Sequence, residues 1–464
     1  MTKNKITFLS VYKIVLLLAV FVFLNPLIVF AQGSSTSDVI SKINTEVPKQ
    51  LLKYNVPGAS VAFIDNDEIV YNKGFGVKNI ITGQKVDDNT FYEAGSNGKM
   101  LAAYICLKLA GEGKIKLDEP VVNYIKTPWI SDGDRSKKIT VRQLLSHTSG
   151  LSNSIELIMD KKIHFEPGTK YFYSGVGYTY LQKIIENVTG KSFEEIAKEY
   201  IFSRIKMTSS SFRMIDNSEL ANPHMDIKSI LLYLLIPFIL AFAIIYILGL
   251  IIGILFRFKY YSKKRMFIAS IIMGYLAECI IVLVVLSKLL VALIVIGLVF
   301  FIVSIVINAI FKKYYLAFGV TMLVLIICTF LIHMHMPLNK DIIRVTNPAF
   351  SLKTTSMDMG RFVVELLKDY RSENKILKSM FVEQISIDKN NSWGLGIGIE
   401  KDENAINYWH SGINPGFQSL VVLDAKNNRG IVILTNSDNG IEFAKYIARV
   451  ALSINGTWEI PGTG

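Results

Sequence analysis

The stretch ANPHMDIKSILLYLLIPFILAF, residues 221–242, begins as a polar surface loop and becomes lipid-compatible within eight residues. Polar sequence returns about a hundred residues later, at PLNKDIIRVTNPAFSL (337–352). The interval therefore either joins two proteins or interrupts one. Four apolar runs fill it: Ser229–Phe256, Met266–Leu286, Leu289–Phe311 and Tyr314–His333. Each is long enough for a helix to cross a hydrocarbon layer of about 30 Å. The separators RFKYYSKKR (257–265) and Lys312-Lys313 are basic, whereas Ser287-Lys288 is nearly neutral. Positive loops stay inside, so the four runs read as an inserted transmembrane bundle that begins and ends on one face.

Charge follows the same division. Of the formal +12, residues 1–31 carry +3 (Lys3, Lys5, Lys13) and residues 227–340 carry +9, with Glu278 as their one acid. The remaining sequence is neutral, so the basic excess gives no nucleic-acid signal. Residues 1–31 read as a secretory signal: leading lysines, an apolar Ile14–Leu24, and Val29-Phe30-Ala31 before a cleavage point. The expected location is a multi-pass protein of the cell membrane with its polar portions on the extracytoplasmic face, and the lipid bilayer is an expected partner. Three cysteines, Cys106, Cys279 and Cys328, offer no disulfide framework. His333 and His335 are spaced i, i+2 and point apart on a helix, and no metal or organic cofactor is implied. Glu278, mid-run, is a candidate for a functional or hydrogen-bonded intramembrane acid.

The polar portions, 33–226 and 341–464, complement each other. GASVAFI and EIVYNKGFG flank the turn DND (65–67), a hairpin pattern. Helical patterns follow at 97–111, 141–146, 176–189 and 192–203. The second portion opens with a helix near 356–368, gives strands at 393–399, 417–424 and 430–436, and closes with an amphipathic helix over 440–453. Neither portion has enough strands for a stable sheet alone. The pattern predicts an α+β domain whose antiparallel sheet is built from both ends of the chain.

Candidate chemistry begins at AGSNGKML (94–101). Ser96 and Lys99 are spaced i, i+3 on the first turn of a predicted helix, which puts them on one face. The helix start favours negative charge, and a neutral lysine there can activate the hydroxyl. The bland alternative is a helix N-cap, and Ser-x-x-Lys recurs at Ser10, Ser203, Ser372 and Ser386.

Further segments stand in order: LLSHTSGL (144–151), PGTKYFYSGVGYTYLQKIIENVTG (167–190), MTSSSF (207–212), TTSMDMGRF (354–362) and HSGINPGF (410–417). Together they resemble the serine β-lactamase and penicillin-binding protein superfamily, in the branch of class C β-lactamases, D-amino-acid peptidases and related esterases. The resemblance covers about 50–226 and 341–455. It implies a β-lactamase/transpeptidase-like fold, an antiparallel sheet flanked by helices plus a helical subdomain, interrupted by the inserted bundle. It implies Ser96 as acylated nucleophile, Lys99 as its proton partner, and Tyr173 as base toward Ser96 and acid toward the leaving group. His410 and Gly412 match the third motif, where His or Lys helps bind substrate. The N–H groups of Ser96 and Ile413 would form the oxyanion hole. His147 reads as structural.

Three positions depart from the family pattern. The second motif is usually Tyr-x-Asn, but residue 175 is Gly, which removes an amide expected to hold a substrate carbonyl. Asn97-Gly98 stands where a hydrophobic and a small residue are usual, and Phe350-Ser351 where Gly-Gly is usual. The expected function is a serine hydrolase acting through an acyl-enzyme on a small peptide or ester, one with a D-amino acid. The alternative is a sensor that is acylated and signals through the membrane helices; inner loops of about nine and two or three residues argue against that.

Overall fold

The computed structural model describes residues 35–125, 129–130, 133–153, 160–213, 219–224, 346–401 and 405–460. The chain divides into two compact units, Met1–Asn222 with Asn347–Gly464, and Pro223–Thr346. Every described helix and strand belongs to the first.

Eight strands form one antiparallel sheet: β1 Gly58–Asp65, β2 Glu68–Gly76, β5 Ile385–Ser386, β6 Asn391–Trp393, β7 Gly398–Lys401, β8 Ile406–Asn414, β9 Phe417–Asp424 and β10 Arg429–Thr435. They run in the order β2-β1-β10-β9-β8-β7-β6-β5. The β1–β2 hairpin turns through Asn66 and Asp67 at φ 53° and 66°, left-handed values that Asn and Asp tolerate in two-residue hairpins. The central pairing joins the two ends of the chain: Val61 is opposite Ile433 and Phe63 opposite Ile431. A separate ribbon pairs β3 (Tyr92–Gly95) with β4 (Leu352–Thr354).

Alternation along the strands supplies two cores. Val61, Phe63, Leu420, Val422, Ile431 and Ile433 face helices α1 (Thr36–Tyr54) and α5 (Gly440–Leu452). In α1, Val39, Ile43 and Val47 recur every four residues, the spacing of one buried stripe. Ala62, Ile64, Val421, Leu423, Val432 and Leu434 face the other way, toward α4 (Ser356–Arg371) and α2 (Gly98–Gly111). Helix α2 is buried on nearly every side from Gly98 to Leu107. A short helix at Val141–Leu145, α3 (Gly175–Thr189), and Phe193–Ala197 continuing into a π-turn at Lys198–Phe202 add to the helical part, with single turns of helix elsewhere.

Segments before and after the interval interlock. The buried Asp358 carboxylate accepts from Ser209 N–H at 2.7 Å, Ser210 Oγ at 2.9 Å and Arg361 at 2.5 Å. Ser211 and Lys353 exchange backbone hydrogen bonds. These contacts unite the MTSSSF and TTSMDMGRF segments.

Two expectations are corrected. The α+β fold contains no inserted transmembrane bundle among the described residues, because no helix there is long and apolar enough to cross a membrane. The multi-pass membrane location falls with it. A crossing needs an apolar helix of about 20 residues; α1, the longest described helix at 19 residues, carries a polar face. The four runs within 229–333, with Glu278, His333 and His335, lie outside the described residues, as does the signal-like stretch 1–31. The single strand expected over 393–399 is instead two strands, β6 and β7. Gly394 to Ile397 form a tight connection in which Gly394 N–H donates to Ile397 O at 2.9 Å and Gly396 has φ +83°.

Candidate active site

Ser96 stands between β3 and α2, and its neighbours explain the local sequence. Asn97 is fully buried. Its Nδ2 donates to Ser419 Oγ at 2.7 Å and to Ala94 O at 3.2 Å, tying the turn to β9. A Cβ on Gly98 would lie 2.6 Å from Pro348 O and 2.9 Å from Phe212. The Asn97-Gly98 departure is thus a packing solution: an amide clamp followed by a residue without a side chain.

The Lys99 ammonium is buried behind Ser96. Nζ donates to Ser96 Oγ and to Ala349 O, both at 2.8 Å, and Ser96 Oγ donates to Ala349 O at 3.2 Å. Burial pushes the lysine down to about 7, so near neutral pH an appreciable fraction is a free amine. Nζ also lies 4.8 Å from the centroid of the Tyr173 ring.

Tyr173 precedes Ser174, the N-cap of α3, whose Oγ accepts from Gly177 N–H at 2.8 Å. The Tyr173 hydroxyl is buried and makes no formed hydrogen bond. Burial raises its pKa, and the nearby Ser96 hydroxyl opposes this only in part. Tyr173 is therefore a phenol, not a phenolate, at neutral pH. It belongs to a buried aromatic wall. The His147 ring centroid is 4.4 Å from that of Tyr173, and His410 is 6.1 Å from it. Trp393 lies 5.9 Å from Tyr173 and 5.6 Å from His410. Both histidines are fully buried and neutral. Burial, then the charge of Lys99, pushes His410 down to about 3 and His147 well below its usual range.

The third motif reaches the nucleophile through glycines. A Cβ on Gly412 would meet Ala94 O at 1.9 Å, and one on Gly95, whose φ is +53°, would meet Ile413 N at 2.9 Å. The end of β8 therefore lies directly against the Ser96 turn, with Ile413 exposed beside it. Asn414 fixes this end, since its Nδ2 donates to Glu93 at 2.7 Å and to Phe350 O at 3.0 Å.

All the residues expected at the site converge: Ser96, Lys99, Tyr173, His410, Gly412 and Ile413, with Gly175 two residues beyond Tyr173. Two participants, Ala349 and Asn153, had not been anticipated, and His147, read as structural, stands beside them. The Ala349 carbonyl anchors Lys99, and no side-chain pattern could have revealed it. His147 packs on Tyr173 while its Nδ1 accepts from Ser174 N–H at 3.0 Å; its φ of +58° is unusual for a non-glycine residue. Asn153 Oδ1 accepts from Gly175 N–H at 3.1 Å, placing an amide side chain beside the position where the motif lacks one. A cleft of about 400 Å³, lined in part by Thr169, Tyr171, Ile385 and Ile387, opens next to this wall.

Fold and site together define a serine β-lactamase or penicillin-binding-protein architecture, and comparison with known proteins agrees. The chain belongs to the β-lactamase family, whose family model matches residues 40–221 and 313–455. The second match begins at the edge of the fourth apolar run, earlier than the motifs had indicated. Protein flp of Staphylococcus aureus is 30% identical over 199 residues, 39% of this chain and 40% of that protein. The chain thus matches about two-fifths of that relative's length. A class C β-lactamase structure superposes with a TM-score of 0.57 at 16% identity, covering 92% of this chain and 99% of the other. The D-alanine carboxypeptidase AmpC of Burkholderia cenocepacia gives 0.57 at 15% identity, covering 90% and 99%.

Proposed function

We propose that this protein is a serine hydrolase that works through an acyl-enzyme on Ser96 and takes a small peptide or ester containing a D-amino acid. The observation that carries the reading is the buried Lys99 amine 2.8 Å from Ser96 Oγ, with burial bringing its pKa to about 7. A general base is most effective when its pKa lies near the working pH.

The division of labour follows from the proton affinities. Neutral Lys99 takes the Ser96 proton as Oγ attacks the carbonyl carbon. The Ala349 carbonyl keeps the amine aimed, before and after it is protonated. Charge developing on the carbonyl oxygen is met by the N–H groups of Ser96 and Ile413; an aligned donor of this kind is worth roughly 3–4 kcal/mol. Collapse expels the leaving group, which takes its proton from Tyr173, while Lys99 returns one to the phenol. Tyr173 is thus assigned the acid role, and its raised pKa argues against the base role. Water then attacks the acyl-enzyme with Lys99 again as base, and Lys99, 2.8 Å away, returns that proton to Ser96 Oγ as the acyl C–Oγ bond breaks and the acid product leaves. The D-amino-acid preference rests on family likeness alone, including the D-alanine carboxypeptidase among the structural neighbours.

The test is acylation of the full chain by a neutral fluorophosphonate, read by intact mass and peptide mapping. One adduct on Ser96 is expected, and its loss in Ser96→Ala. An adduct elsewhere, or equal labelling of Ser96→Ala, refutes the assignment.

A further inference from the structure

We propose that the leaving-group side of this site accepts an uncharged group, such as an ester alcohol, an amine or the continuing chain of a peptide, and turns away one that bears a free carboxylate. The inference rests on the serine-hydrolase reading above and narrows its substrate class.

The argument starts from a hydrogen bond. His410 Nδ1 lies 2.7 Å from Ser411 O. A carbonyl can only accept, so Nδ1 carries the hydrogen. In a neutral imidazole the other nitrogen, Nε2, then presents a lone pair. That Nε2 is buried and has no hydrogen-bond partner. The ring is held between Tyr173 and Trp393, on the strand whose next residues, Gly412 and Ile413, abut the nucleophile turn. The third-motif side chain is therefore an acceptor. A carboxylate brought to it would set lone pair against lone pair, whereas an N–H or O–H would find a partner. A second proton on His410 would place a cation in an aromatic wall already next to Lys99, which desolvation and like-charge repulsion oppose.

No other basic group named at the site supplies a free positive charge in its place. His147 accepts from Ser174 N–H through Nδ1, and its neutral ring is enclosed by Tyr171, Tyr173, Tyr178 and Trp393. Lys353 is 3.7 Å from the Glu93 carboxylate, which offsets its charge. Lys99 is committed to Ser96 and the Ala349 carbonyl. Each of these three groups therefore already has a hydrogen-bond partner, an offsetting carboxylate or a neutral ring.

The experiment compares S-acetylmercaptoacetate with S-acetylmercaptoacetamide on the full chain. Thiol release is followed and each kcat/KM is divided by the ester's rate of alkaline hydrolysis. The two share the acetyl group and differ only in leaving-group charge. The wild-type ratio should favour the amide at least tenfold. His410→Lys should shift the ratio at least tenfold toward the carboxylate, while His410→Gln, uncharged, should keep the amide preference. A wild-type ratio within twofold of unity, or one favouring the carboxylate, overturns the inference without any variant having to fold. If neither thioester is cleaved and the neutral fluorophosphonate leaves Ser96 unmodified, the serine-hydrolase reading itself falls and takes this inference with it. Acetylation of Ser96 by both at equal normalised rates overturns the leaving-group inference alone.

Discussion

The two walls of the site are built on opposite principles. The Ser96 wall is polar and over-determined: Lys99, Ser96, Asn97 and Ala349 are joined by hydrogen bonds of 2.7–3.2 Å that reach from α2 to β9 and to residue 349. The Tyr173 wall is aromatic, and the outer polar atoms of Tyr171, Tyr173, His147, His410 and Trp393 are buried without partners. Buried polar groups are nearly always satisfied; the Ser96 wall leaves the Asn97 side-chain oxygen unpartnered, whereas the aromatic wall leaves five such atoms, and in the proposed mechanism that concentration is where substrate atoms and transferred protons belong. In the proposed mechanism the first wall holds the attacking groups still and the second keeps its donors and acceptors for the reaction.

The contrast can be broken most sharply at Ser96. Ser96→Ala should abolish covalent labelling while leaving the unfolding temperature within a few degrees of wild type, checked by mass spectrometry and calorimetry. Lys99→Met should lower acylation by roughly 10²–10⁴-fold, the usual worth of positioned proton transfer. It should also stabilise the fold. The lysine's folded pKa of about 7 lies below its unfolded value, so the unfolded chain binds more protons between about pH 7 and 10. Wild-type stability from this group therefore rises with pH across that window, and its burial cost is fully present below it. The stabilisation of Lys99→Met should be largest at pH 6 and shrink as the pH approaches 10. A constant difference across that range would show that Lys99 is not desolvated.

Gly412→Ala tests the approach of the two walls. Its new Cβ would collide with Ala94 O, so β8 must withdraw from the nucleophile turn. Acylation should fall by about 10²–10³, the loss expected for one oxyanion donor. An unchanged rate would mean that Ile413 N–H is not a donor. The acylation rate of wild type should climb as pH rises through about 7 and then level, following deprotonation of Lys99. A rate that falls over the same interval would assign the base elsewhere. The smallest effect is expected at the second motif: Asn153→Ala should cost about 1 kcal/mol in acylation, roughly fivefold, as loss of one hydrogen bond. Gly175→Asn introduced into that background should restore it if the amide of Asn153 stands in for the missing side chain.

Much of this was legible in the sequence. The β1–β2 hairpin, β9, β10, α2, α3, α4 and α5 follow their sequence patterns to within a few residues: α3, α4 and α5 each have one face to bury, while β1, β9, β10 and α2 are buried nearly throughout. Ser96, Lys99 and Tyr173 were legible as ordered motifs, and the complementary strand counts already required both portions to share a sheet. Periodicity failed where backbone closure took over, at the Gly394–Ile397 connection. The crossing helices it predicted have no counterpart among the described residues, where no helix is long and apolar enough to cross a membrane. Proton affinities were also beyond it, since Ser-x-x-Lys says nothing of burial. Only the packed structure lets Lys99 give up its proton near neutral pH, keeps Tyr173 a phenol and fixes the His410 hydrogen on Nδ1. The residue types and their order came from local chemistry along the chain. The ionisation states came from desolvation, which is a property of what the other segments place around each group.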